Sequence, residues 1–127
     1  MVALVACGRT AATTPASAVF VQPAVGERHL RNIRQLTFGG NNAESYFSRS
    51  GRQLIFQRQE QVDAGCDQQY LMNSDGSNVR RVSNGKGRTT CGFFYANDQR
   101  ILYSSTFQHD SACPTPPDRS HGYVCPL

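Results

Sequence analysis

From about Glu27 onward, apolar residues come in short clusters separated by turn sequences, with no helical period. The first cluster is Ile33–Phe38, followed by Gly39-Gly-Asn-Asn42, a strong turn sequence. Ala43–Ser48 comes next, then a turn at Arg49–Gly51 and the segment Gln53–Gln57. Its apolar run Leu54-Ile55-Phe56 suits a strand packed on both faces. A polar loop from Arg58 to Asp67 leads to Gln69–Met72. Asn73-Ser-Asp-Gly76 predicts a hairpin, with the Asp-Gly step supplying positive φ for a primed turn. Val79–Val82 then alternates apolar and basic residues.

The order now repeats. Val79–Ser83 corresponds to Ile33–Thr37 at an offset of 46, and Gly85 falls under Gly39. Phe93–Tyr95 matches Tyr46–Ser48, and Ile101–Tyr103 matches Leu54–Phe56, both at an offset of 47. One residue inserted in the turn region accounts for the change. A period in the forties with about four strands per unit is the signature of a β-propeller blade.

The stretch Tyr70-Leu-Met-Asn-Ser-Asp-Gly-Ser-Asn-Val-Arg-Arg-Val-Ser83 resembles the strand–hairpin–strand segment of TolB-like (PD40, WD40-like) propeller repeats. That family continues with an aromatic strand and a Ser-Pro-Asp-Gly turn before an apolar strand. Ser48–Phe56 keeps the serine, the glycine and the apolar end but lacks the Pro and Asp, and Tyr95–Tyr103 departs further. The likeness covers Arg31 to Tyr103, more faintly to Val124. It implies an all-β fold, a partial β-propeller of about one and a half four-stranded antiparallel blades over residues 27–127. A blade cannot bury both its faces alone, and propellers close with about 4–8 blades. The expectation is therefore a truncated product or a fragment of a larger frame, needing missing blades or self-association to complete its fold.

Composition supports short strands and many turns. Hydrophobic residues make up 39% and charged residues 17%, too few charges for a disordered chain of the charge-rich kind. The formal net charge is +4, and basic residues concentrate between Arg80 and Arg100. Phe93, Phe94 and Tyr95 lie close by, but adjacent strand residues cannot all face one nucleic acid. The basic segment is read as solvated surface, with Arg80, Arg81 and Arg88 as candidate protein contacts and no nucleic-acid partner.

Residues 1–26 read as a separate region. Leu4-Val-Ala-Cys7 resembles a bacterial lipobox, which makes Cys7 a candidate for lipidation and membrane attachment. Gly8–Pro23 is rich in Ala, Thr, Ser, Pro and Val, like a flexible tether. Only six residues precede Cys7, short for a signal peptide with its basic and apolar regions. Five cysteines in 127 residues suggest an oxidising compartment. Cys66, Cys91 and Cys113 are the disulfide candidates. Cys66–Cys91 and Cys91–Cys113 both stay open, as do free thiols.

Enzymatic signatures are missing. No Gly-x-Ser-x-Gly elbow accompanies His29, His109 and His121. His109-x3-Cys113 and His121-x3-Cys125 offer zinc-type ligands, yet prolines at 114, 116 and 117 stiffen the span and the spacing matches no finger. Gly39–Asn42 and Asn84–Arg88 lack the spacing of phosphate loops. No catalytic residue, metal or cofactor is expected. By resemblance, the expected role is a non-enzymatic protein-binding scaffold, periplasmic or associated with the bacterial cell envelope. The alternatives are a non-catalytic propeller piece of a prolyl-oligopeptidase-type serine peptidase, or a truncated product without independent function.

Overall fold

The computed structural model describes residues 18–61, 65–115, 118, 120 and 122. Cys7, His121 and Cys125 lie outside them. The fold is all-β, with no helix among the described residues. Eight strands follow one another among the described residues: β1 (Val19–Phe20), β2 (Arg34–Gln35), β3 (Asn41–Phe47), β4 (Gln53–Gln59), β5 (Gln68–Asn73), β6 (Arg80–Arg81), β7 (Thr89–Phe94) and β8 (Ile101–Ser105). They form a β1-β2 pair, a four-stranded meander β3-β4-β5-β6 and a β7-β8 pair, all antiparallel.

Several local expectations are corrected. The segments 33–38 and 79–82 pair over only two residues each, Arg34–Gln35 and Arg80–Arg81. Asn41 and Asn42, read as turn residues, open β3 because Gly39 and Gly40 already make the turn, at φ 85° and 66°. In the Asn73–Gly76 hairpin only Gly76 takes positive φ, at 87°. The Gly76 amide donates to the Asn73 carbonyl, so the loop is a turn closed by a left-handed glycine and not a primed two-residue turn.

Strand alternation divides the four-stranded sheet into two faces. On one, Leu54, Phe56, Tyr70 and Met72 form the core cluster, with Leu36 packed against it. On the other, Ile55 and Gln69 are fully buried beneath β7. Gly92 of β7 sits so close above them that a Cβ would collide with Gln69 Oε1 and with Ile55 Cδ1. Glycine therefore sets the distance between the two sheets. Thr90 adds a hydrogen bond to Gln57 Oε1 at 2.9 Å, and the rings of Tyr46 and Phe93 lie 4.4 Å apart. The apolar triplet Leu54-Ile55-Phe56 is buried throughout, as a strand covered on both faces requires.

The backbone repeats more faithfully than the side chains. Left-handed residues recur at Asn32 and Asn78, then Gly39 and Gly85, at an offset of 46. They recur again at Gly40 and Gly87, Glu44 and Cys91, and Gly51 and Asp98, at an offset of 47. Lys86 is thus the inserted residue. Glu44 and Cys91 each sit in a register shift, between Ala43 and Tyr46 in β3 and between Thr90 and Phe93 in β7. A β-bulge leaves its extra residue unpaired and bends the strand. The same bend, made by a carboxylate in one unit and a thiol in the other, comes from backbone geometry and not from residue identity.

Candidate functional site: a hollow between the two repeats

A disulfide and a charged cap fasten the second repeat to the first. Cys66 and Cys113 form a disulfide with Cα atoms 5.6 Å apart and a sequence separation of 47, the repeat period. The bond joins the same loop position in consecutive units. Cys91 is free and exposed, so neither pairing through Cys91 occurs. It occupies the bulge of β7 beside Thr90, while Cys66 and Cys113 come within the separation a disulfide spans. Zinc at Cys113 is excluded, because a disulfide sulfur is not a thiolate ligand.

At the opposite end of the strands, the Asp98 carboxylate accepts hydrogen bonds from the Arg49 and Ser50 amides at 2.8 and 3.0 Å. The turn of one repeat thereby caps the turn of the other. Hydrogen bonds from Ser50, then the Arg49 amide and charge, hold the Asp98 carboxyl below its ordinary value.

The disulfide borders a hollow of about 310 Å³, lined among others by Arg58, Glu60, Gln68, Tyr70 and Arg81 from the first repeat. Gly85, Gly87, Ser111 and Cys113 supply the other wall. Register explains the convergence. Phe56 pairs with Tyr70, Arg58 with Gln68, and Tyr70 with Arg81, so Arg58, Tyr70 and Arg81 share one face across three strands. The Tyr70 hydroxyl donates to Glu60 Oε1 at 2.7 Å, and the Arg58 guanidinium lies 5.8 Å from the centre of the Tyr70 ring. Burial, followed by the bond to Glu60, raises the Tyr70 phenol above its ordinary value. Tyr70 therefore stays a neutral donor at physiological pH. Arg58 Nε is buried and without a hydrogen-bond partner.

A polar network seats the floor of this hollow. Ser83 donates to Gln68 Oε1 at 2.7 Å and accepts from the Gln69 amide at 3.0 Å, while Gln68 Nε2 donates to the Gly87 carbonyl at 2.9 Å. These bonds lock the chain leaving β6 against β5 before it crosses into the second repeat. Beside them, both amide atoms of Gln69 are buried without partners.

Of the three arginines expected as contacts, only Arg81 lines the hollow. Arg80 is exposed on β6 opposite Leu71, and Arg88 donates its amide to Thr106 Oγ1 at 2.9 Å on the β7 side. Arg58, Glu60 and Tyr70 went unrecognised because they lie in different segments. Alternation along Gln53–Gln59 and Gln68–Asn73 would have placed Arg58 and Tyr70 on one face, given the register between them. Among the described residues, no group of three or more His, Cys, Asp or Glu side chains is arranged to hold a metal ion. No helix among them is long and apolar enough to cross a membrane. The chain matches no protein-family model, no curated protein and no solved structure.

Proposed function

We propose that the chain is a non-enzymatic protein-binding scaffold built from TolB-like propeller blades and working in the bacterial cell envelope. In this reading the four-stranded sheet is one blade and the β7-β8 pair is the inner half of the next. The periodic recurrence of left-handed residues and bulges supports it, since blades are repeats of one strand order. The disulfide fits an oxidising compartment such as the periplasm.

The hollow between the repeats is the observation that carries binding. Two guanidiniums converge there beside one carboxylate, Glu60, which already accepts the Tyr70 phenol proton, and the excess of positive charge favours a carboxylate-bearing segment of a partner protein. Arg58 and Arg81 would hold the partner's acid. Fluorescence anisotropy with labelled acidic and basic peptides tests this. Acidic peptides should bind more tightly, and Arg58→Ala with Arg81→Ala should weaken them about tenfold, or about 1.4 kcal/mol. Equal binding of both peptide classes, or indifference to the double substitution, would sink the proposal. Peptide hydrolysis by the purified chain would point to an enzyme instead.

A further inference from the structure

The β1-β2 pair copies the outer half of the four-stranded sheet. Val19 pairs with Gln35 and Phe20 with Arg34, as Tyr70 pairs with Arg81 and Leu71 with Arg80. The β7-β8 pair copies its inner half, with Phe94 opposite Ile101 as Phe47 is opposite Leu54. In the complete sheet these halves join through β4 and β5, where Leu54, Ile55 and Phe56 face Met72, Leu71 and Tyr70.

Exposure shows what each half lacks. Tyr70, Leu71 and Met72 are 6%, 6% and 3% exposed, whereas their counterparts Val19, Phe20 and Val21 are 51%, 72% and 41% exposed. Ile55 is 0% exposed and its counterpart Leu102 is 60% exposed. Among the described residues, β1 pairs only with β2 and β8 only with β7, so each keeps one open edge. An open, apolar edge strand is a template for pairing with another chain.

Within one chain the two halves cannot meet. Leu36, next to β2, packs on the Leu54–Phe56–Tyr70–Met72 face, while β7 covers the Ile55–Gln69 face. The four-stranded sheet stands between them.

We propose that β8 of one copy pairs antiparallel with β1 of a second copy, completing a four-stranded sheet across the junction. The pairing continues the β4–β5 interface that the chain already makes with itself. The expected register is Ile101 opposite Val21, Leu102 opposite Phe20 and Tyr103 opposite Val19, following Leu54–Met72, Ile55–Leu71 and Phe56–Tyr70. The contact is head-to-tail, since the two surfaces differ, and it propagates around a ring or along a filament. It is independent of the carboxylate-binding reading, because neither strand lines the hollow.

Sedimentation velocity tests the assembly. The full chain should sediment at two or more times 14.0 kDa, with the fraction assembled rising with concentration. Phe20→Lys and Leu102→Glu should each lose assembly, and mixing the two variants should restore it, because Lys and Glu then face each other across the new pair. Both positions are exposed, and circular dichroism confirms that each variant folds. In the unsubstituted chain, hydrogen exchange supplies a second measurement: amides of Val19–Val21 and Ile101–Tyr103 should gain protection as concentration rises. A monomer at every soluble concentration, assembly unaffected by either substitution, or a mixture that stays monomeric would each overturn the proposal.

Discussion

Replacing Cys66 and Cys113 together by serine removes the one covalent link between the repeats among the described residues. The bond closes a loop of 47 residues. The chain-entropy expression gives about 4 kcal/mol for such a loop at 25 °C. Against a total stability of about 5–15 kcal/mol for an ordinary domain, this is a large share. Without the bond, the second repeat is still held by the Asp98 cap, by hydrogen bonds that include Thr90 to Gln57, Gln68 to Gly87 and the Thr89 amide to Asp67, and by the packing of β7 on Ile55 and Gln69. In urea, with a slope of about 2 kcal/mol per molar, the unfolding midpoint should fall by about 2 M. Hydrogen exchange should locate the loss. Thr89–Ser105 should lose protection before Gln53–Asn73, because the four-stranded sheet keeps its own core cluster. A midpoint that moves by less than about 0.5 M, or uniform loss of protection across both sheets, would refute the idea that the bond staples one repeat to the other.

Three further outcomes follow from the same contacts. Gly92→Ala drives a methyl into Gln69 and Ile55 and should destabilise by about 1–3 kcal/mol, read as a lower denaturation midpoint. Gln69→Met replaces a buried amide that has no partner by an apolar chain of similar size, and should leave stability unchanged or raise it by about 1 kcal/mol; a clear loss would show that the amide is satisfied in solution. Asp98 has a folded pKa below its unfolded value, so its contribution is present above the ordinary carboxylate pKa of about 3.9 and is lost as pH falls through the folded value. Asp98→Asn should therefore lower the thermal midpoint at neutral pH, and the difference from the unsubstituted chain should vanish in stronger acid.

Much of the strand order was legible along the chain. The run Leu54–Phe56 announces itself because the middle of a strand covered on both faces is apolar at successive positions. The offset of 46 to 47 is equally visible, since turn glycines such as Gly39 and Gly85 recur with it. Pairing across the chain was not legible. Cys113 bonds Cys66 and not Cys91 because stacking consecutive repeats brings matching loops together, a distance that composition and spacing leave open. Arg58, Tyr70 and Arg81 lie in three separate segments, and only the registers Arg58–Gln68 and Tyr70–Arg81 put them around one hollow. The exposed Val19–Val21 segment is short and sits in an Ala- and Pro-rich stretch, so its likeness to Tyr70–Met72 lies in its pairing partner, Arg34–Gln35, and not in its residues. The local rules of turns and alternation determined where strands form and how they repeat. Which faces are covered, which cysteines meet and which edges stay open were decided by how the sheets stack, because those are contacts between residues that the chain keeps far apart.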